Sequence, residues 1–338
     1  MLCTQRANVR YLTGFTGSNG WAFVAPSGAS LLTDARYSEQ AAEEAGGCEL
    51  IVAAAGLASA LTQALEHIAA PVGFESRDVS VAVGEELVRL HDGIQWNGCM
   101  GLVEELRLGK DRGELQAIRR ALSVAESALE EAVAGLRPGD TELGFAAALE
   151  HGCRVRGAER MSFDTIVAAG PRGALPHAHP TARVLRDGDL LVVDMGCVVD
   201  GYCSDITRAV YLGSELPVQW QRVHEALAAA RTAALASISA GIAGSEVDAA
   251  ARRELTERQF GEAFVHSLGH GVGLKVHEAP RLAQRSQDTL VAGTVVTIEP
   301  GVYLPGEGGM RLEDLVLVTD KGAEVLNRLP PAPMLVPV

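Results

Sequence analysis

An α/β protein of two domains is what this sequence predicts, and three observations predict it. Short β-rich runs alternate with amphipathic helical runs through roughly the first hundred residues. A charged segment, LRLGKDRGEL, then breaks the pattern and leads into a much longer amphipathic stretch. Beyond it, strand-like runs that carry acidic residues in apolar surroundings occur twice, separated by helical runs. With 338 residues, nearly half of them apolar, the chain can build two cores. The first part reads as a small α/β domain and the rest as a duplicated βα arrangement with α+β character.

The elements follow in order. Residues 9 to 33 read as two strands, VRYLTGF and WAFVAP, joined by the turn-rich TGSNG and followed by a third strand, ASLLT. DARYSEQAAEEAGG reads as a helix that stops at its glycines. A strand at IVAA, a helix around LASALTQALEHIAA, a strand at PVGFES and a helix near VGEELVRLHDG complete the first domain. Asp111 and Glu114 have the spacing of a helix-capping pair, and the long helix LQAIRRALSVAESALEEAVAGL follows them. Gly135 and Pro138-Gly139 end it. Asp140 or Thr141 caps a further helix through His151, closed by Gly152. Strands are expected at FDTIVAAG, DLLVVDMG and YCSDITRAVYL, then helices at QWQRVHEALAAARTAALASISAG and SEVDAAARRELTER. The last strands are expected near TVVTIEPGVYL and MRLEDLVLVTD.

Composition removes several classes of function. A formal net charge of −14 disfavours nucleic acid and anionic membrane as partners, because both need a basic face. Neither glycine-rich segment, TGSNG or GHGVG, has the form of a phosphate loop, which speaks against nucleotide binding. The start, MLCTQRANVR, does not read as a signal peptide, and the longest uncharged run, residues 50–65, is shorter than the ~20 residues of a membrane span. Six scattered cysteines without a C-x-x-C pair read as reduced thiols of a cytoplasmic protein. Cys197 and Cys203 flank an acidic motif, but ordinary burial of a thiol is commoner than ligation.

The chemistry concentrates in two hairpins. DLLVVDMG ends on Asp194 and a glycine, turns through VVDGY, and returns with Asp205 eleven residues on. TVVTIEPG ends on Glu299 and a Pro-Gly, turns through LPGEGG, and returns with Glu313 fourteen residues on. Any one of these acids alone reads better as a turn residue or a half-exposed strand charge. Four in matched, apolar-flanked positions repel one another in a core, and the usual remedy is a hard divalent cation. Between the hairpins, FVHSLGHGVGLKVHEAP supplies His266, His270 and His277, and GPRGALPHAHPT supplies His177 and His179. Six of the nine histidines fall between residues 177 and 277, so they are clustered rather than scattered. One imidazole with four carboxylates suits manganese, cobalt or iron.

These residues also carry a family resemblance. D-M-G at 194–196, S-D-I-T-R at 204–208, G-H-G-V-G at 269–273, E-P-G at 299–301 and R-L-E-D at 311–314 resemble the five metal-site motifs of the pita-bread metallopeptidases. NVRYLTGFTGSNG, the DARY segment and ALPHAHPT are similar to the proline-specific branch, the Xaa-Pro dipeptidases (prolidases) and Xaa-Pro aminopeptidases (aminopeptidase P). The resemblance implies a creatinase/prolidase-type N-terminal domain over residues 1–108 and a pita-bread catalytic domain over 109–338. Only eight residues precede Val9, so the first domain reads as shortened at its start. In relatives that domain shapes the active-site mouth and the dimer contact, so a homodimer is implied.

Carried across residue by residue, the resemblance makes Asp194, Asp205, His270, Glu299 and Glu313 the ligands of a two-metal centre, most simply Mn2+, with Co2+, Fe2+ or Zn2+ as alternatives. Asp205 and Glu313 would bridge, His270 and Glu299 would complete one site, and Asp194 the other. His177 and His277 match histidines that hold substrate and stabilise the transition state. His266 and Arg311 match residues lining the pocket for the proline end, and Glu299 is the candidate proton carrier. The implied activity is hydrolysis of the Xaa-Pro bond of dipeptides or peptide N-termini by hydroxide shared between the metals. A metal-independent creatinase-type amidinohydrolase and a non-catalytic binding protein on the same fold are the alternatives. Both are disfavoured because all five ligand positions hold ligand-capable residues.

Overall fold

The computed structural model describes residues 1–66, 68 and 71–337. It forms two compact units, Met1–Arg107 and Leu108–Val338. The first is a six-stranded mixed sheet flanked by short helices. Its strands are β1 (Leu2–Cys3), β2 (Gly20–Ala25), β3 (Gly28–Asp34), β4 (Glu49–Ala53), β5 (Val72–Glu75) and β6 (Trp96–Cys99), in spatial order β4-β3-β2-β1-β5-β6. The helices are α1 (Arg6–Thr13), α2 (Ser38–Glu44), α3 (Leu57–Ala64), α4 (Val81–Leu90) and α5 (Leu102–Leu106). The first residues of the chain thus lie inside the sheet, with Leu2 paired to Phe23 on one side and Phe74 on the other. Buried Glu75 holds the chain where β1 passes into α1, accepting from the Thr4 and Gln5 amides at 2.6 and 2.8 Å.

Two expectations for this unit need correction. VRYLTGF is the end of helix α1 rather than a strand, because Val9 and Thr13, one turn apart, are buried together and Gly14 closes the helix at φ 82°. The strand β6 and the helix α5 have no counterpart in the sequence reading. The expected helix around LASALTQALEHIAA forms as α3 to Ala64; its expected end at His67, Ala69 and Ala70 lies outside the described residues.

The second unit opens with α6 (Arg112–Gly135), whose capping box joins Asp111 and Glu114. It packs on α7 (Glu142–Val155), capped by Thr141. That helix runs past Gly152, whose missing Cβ lets α7 approach Ala128 of α6; the left-handed residue that follows it is Gly157, at φ 96°. Strands β7 (Arg160–Met161), β8 (Ile166–Ala169), β9 (Leu190–Met195), β10 (Cys197–Val199), β11 (Tyr202–Cys203) and β12 (Ile206–Leu212) follow. A second helix pair, α8 (Val218–Ser237) and α9 (Gly244–Glu257), precedes β13 (Gly269–Gly271), β14 (Glu278–Leu282), β15 (Val295–Ile298), β16 (Gly301–Leu304), β17 (Gly308–Arg311), β18 (Asp314–Thr319), β19 (Gly322–Val325) and β20 (Met334–Val336).

Each half therefore repeats one plan: two packed helices, then a three-strand antiparallel ladder. The ladders are β8-β9-β12 and β13-β15-β18. Two apolar cores fill this unit, and each draws on strands of both halves. One is built around Ile118, Leu122, Leu149 and Val193 with Val295 and Leu315, the other around Val223, Leu227, Val296 and Val316 with Leu190 and Tyr211.

The acid-bearing hairpins are bent in matching places. In the first, β9 pairs with β12 and β10 pairs with β11, in separate sheets. In the second, β15 pairs with β18 and β16 with β17, again in separate sheets. Asp194 is in β9, but Asp205, Glu299 and Glu313 occupy the two-residue breaks between strands, not the strands themselves as expected. A break releases the side chain from strict up-down alternation, so the acids of both hairpins can turn inward together.

Candidate metal centre

The acids converge because the two bent hairpins face each other. At the first bend, Gly196 lets the chain pass Ser204, where a Cβ would stand 1.9 Å from the Ser204 carbonyl oxygen. Glu313 is reached across the halves: its amide donates to the Thr207 carbonyl at 3.2 Å, and its Oε2 accepts from Thr207 Oγ1 at 2.6 Å. Asp205, His270 and Glu313 each present one donor atom, and these atoms lie within 4.8 Å of one another. His270 Nε2 is 3.7 Å from Asp205 Oδ2 and 3.5 Å from Glu299 Oε1. Asp194 stands on the same side, with Oδ2 accepting from Arg311 Nη2.

The electrostatics are those of a cluster short of positive charge. Burial, then neighbouring Glu313, Asp194 and Glu299, holds the Asp205 carboxyl well above its usual range. Glu313 is raised likewise by burial and by Glu299 and Asp194. Glu299 is pushed up to about 8 by burial, against the pull of Arg311. Asp194 is raised by burial despite Arg311. Burial and His277 lower His270 to about 4, so its imidazole is neutral at pH 7.

A divalent cation fits this donor set. His270 Nδ1 faces the Gly271 carbonyl at 3.1 Å and donates to it, which leaves the Nε2 lone pair directed at two carboxylates. Asp194 Oδ1 is buried and has no hydrogen-bond partner among the described residues. A lone pair aimed at acids and an orphaned carboxylate oxygen are both unfavourable without a cation and favourable with one. The thiols take no part: Cys197 Sγ is 3.3 Å from the Ala121 carbonyl, and both Cys197 and Cys203 are buried.

Around the acids runs a hydrogen-bonded chain. Arg311 is 3 % exposed and spends its donors on Asp194, on Thr207 Oγ1 at 3.0 Å, on Tyr303 Oη at 2.6 Å and on the Pro176 carbonyl at 3.3 Å. Tyr303 Oη in turn donates to His266 Nε2 at 2.9 Å, since His266 Nδ1 is occupied by the Ser267 carbonyl at 2.8 Å. Arg311 therefore meets its surroundings as a bound strut rather than an open anchor. The His277 ring is exposed and lies edge-on to His270, centroids 4.4 Å apart. His177 is also exposed and acts electrostatically on Asp194, His266 and His277. His179 is exposed, and its carbonyl accepts from Arg172 Nη2 at 2.6 Å.

Three participants escaped the sequence reading. Thr207 and Thr297 each orient a carboxylate: Thr207 that of Glu313, and Thr297 that of Glu299 at 3.3 Å while accepting the His270 amide at 3.0 Å. Both stand two residues from an acid in sequence, the period that puts side chains on one strand face, and that spacing could have revealed them. Tyr303 has the same offset from Gly301 and no comparable signal.

Known proteins resemble this chain over both of its units. Residues 116–320 match the profile of metallopeptidase family M24, and residues 1–108 that of the creatinase/prolidase N-terminal domain. An Xaa-Pro dipeptidase from Pyrococcus horikoshii is 35 % identical over 97 % of this chain and 92 % of its own length. An Xaa-Pro dipeptidase structure from Bacillus anthracis superposes with a TM-score of 0.95 at 37 % identity, covering 99 % of this chain and 94 % of that one. The X-Pro aminopeptidase structure from Thermotoga maritima gives 0.93 at 36 %, covering 98 % and 94 %.

Proposed function

The chain belongs to metallopeptidase family M24, and from that premise we propose that it hydrolyses the Xaa-Pro bond of dipeptides or of peptide N-termini. The observation that carries this reading is that donor atoms of Asp205, the neutral His270 and Glu313 lie within 4.8 Å of one another, with Glu299 3.5 Å from the same imidazole. Asp194, Asp205, His270, Glu299 and Glu313 would together hold two divalent ions. Mn2+ is the proposed ion, since hard oxygen donors dominate the set. When bound, the ions supply Lewis acidity and a water acidic enough to furnish a nucleophile near neutral pH.

The chain's own residues do the rest. Arg311 holds Asp194 by a hydrogen bond to Oδ2, and Thr207 and Thr297 fix the carboxylates of Glu313 and Glu299. His177 and His277, exposed on the open side, donate hydrogen bonds where negative charge grows on the substrate carbonyl oxygen. His266 and Tyr303 line the place of the proline ring, with Arg311 holding Tyr303 from behind. Glu299 carries a proton to the leaving proline nitrogen, which has no N–H to donate.

Six free cysteines fit a reducing compartment, and we assign the protein to the cytoplasm as a homodimer. No helix among the described residues is long and apolar enough to cross a membrane. Residues 1–108 and 109–338 are proposed as its N-terminal and catalytic domains. Metal analysis with assays on Ala-Pro and on a longer Ala-Pro-peptide tests the function. Protein that binds no divalent ion and is not activated by added manganese or cobalt would remove it. The ratio of the two rates separates dipeptidase from aminopeptidase.

A further inference from the structure

We propose that Glu142, in the first turn of α7, is a positioning residue that holds the His177 loop in register with the acid cluster. The proposal rests on the reading of that cluster as a peptidase centre. Glu142 is 0 % exposed, and one carboxylate closes the loop at both ends. At the near end, Oε1 accepts from the Ala169 amide at 2.9 Å. At the far end, Oε2 accepts from the Thr181 amide at 3.0 Å and from Thr181 Oγ1 at 2.7 Å. Arg172, inside the loop, donates from Nε to both oxygens at 3.1 and 3.0 Å and from Nη2 to the His179 carbonyl. Residues 170–180 are thus bracketed by one buried charge whose position at a helix N-terminus also favours it.

The middle of the loop is fixed to the cluster. Gly173 lies against β17, where a Cβ would stand 3.0 Å from the Gly309 nitrogen. The Pro176 carbonyl accepts from Arg311, the same guanidinium that holds Asp194. His177 is the next residue, and its exposed ring takes its place from the backbone beneath it. Base and middle together define where that imidazole stands, so loosening the base moves it. None of the Glu142 partners is a candidate metal ligand, so metal binding does not depend on it.

The test is Glu142→Gln in the full chain, which keeps the shape, removes the charge and replaces one of the two acceptor oxygens by a donating NH2 group. The expected result is a kcat on Ala-Pro lower by about 100-fold, the cost of misplacing a catalytic group by about an ångström. KM should stay within about threefold, and Mn2+ binding by calorimetry within about twofold, because ground-state binding and the ligands are untouched. Amide exchange over residues 171–181 should rise about tenfold or more. Adding His177→Ala to Glu142→Gln should cost less than about threefold more, since both act through one imidazole. Losses that multiply, or an unchanged kcat with unchanged exchange, overturn the proposal. If Glu142→Gln does not fold, Thr181→Val carries the test, with about a tenfold loss of kcat at unchanged Mn2+ binding expected and a wild-type kcat overturning it. A wild-type protein inactive on Ala-Pro removes the peptidase reading, and the exchange measurement then decides the loop claim by itself.

Discussion

Glu142 and Glu313 are both buried carboxylates, 0 % and 2 % exposed, yet they live in opposite surroundings. Glu142 is ringed by two amides, a hydroxyl and a guanidinium. Glu313 has one hydroxyl from Thr207 and, around it, other acids that raise its carboxyl well above the ordinary range. Arg208 makes the same point with the opposite sign. It is fully buried, but Asp314 pairs with it at 2.8 Å, and the Glu313 and Leu329 carbonyls accept from it at 2.6 and 2.7 Å. Burial alone therefore does not mark a site in this protein. A buried charge left without opposite charge does.

The largest effect should come from the unpaired side of that comparison. His270→Ala or Asp205→Asn should lower Ala-Pro hydrolysis by more than about 10³-fold while leaving the thermal transition in place, because the catalytic centre acts as a unit. Wild-type turnover in either variant would end the metal assignment.

On the paired side, the loss should appear in stability instead. Arg208→Met leaves Asp314 with Arg231 alone and takes the Arg208 donors from the carbonyls of Glu313, Leu329 and Pro330. Urea unfolding should show a loss of about 3–5 kcal/mol. A loss under about 1 kcal/mol would show that the pairing contributes little.

The pH dependence sharpens the contrast further. Glu299 has a folded pKa raised to about 8, so its stabilising share is present below its unfolded value and is lost as pH rises through 8. His266 and His270, held near 4, are neutral in the folded state, so their unfolded forms, half-protonated near pH 6.5, offset that loss at its acid end and little of it above about pH 7.5. Metal-free protein should lose up to about 1.4 kcal/mol per pH unit, per carboxyl still protonated, between about pH 7 and 8. Protein saturated with Mn2+ should not, and equal melting curves at all pH values for the two forms would refute the shared-acid picture. At the small end, the exposed pair Arg120–Asp200 offers a control: Arg120→Ala should change stability by less than about 0.5 kcal/mol.

Much of the fold was legible because it is local. The capping pair at Asp111 and Glu114, the long apolar stripe of α6 and the two acid-bearing hairpins are written in spacing and composition. The misreadings are local as well. VRYLTGF has the β-branched and aromatic look of a strand, but burial of Val9 with Thr13 and a left-handed Gly14 made it a helix. Gly152 looked like a stop and was a close packing contact.

By itself, the sequence determined which residues could ligate, their order along the chain and the repetition of the hairpins. Periodicity and capping act over a few residues, and they need no partner from elsewhere. Tertiary structure alone decided that Thr207 would orient Glu313, 106 residues away, and that Arg311 would brace Asp194, 117 residues away. It also decided that Glu142 would close the His177 loop rather than stand at the surface. Such pairings depend on how two packed halves meet, and hydrogen bonds within a core form only after that packing has brought donor and acceptor within about 3 Å.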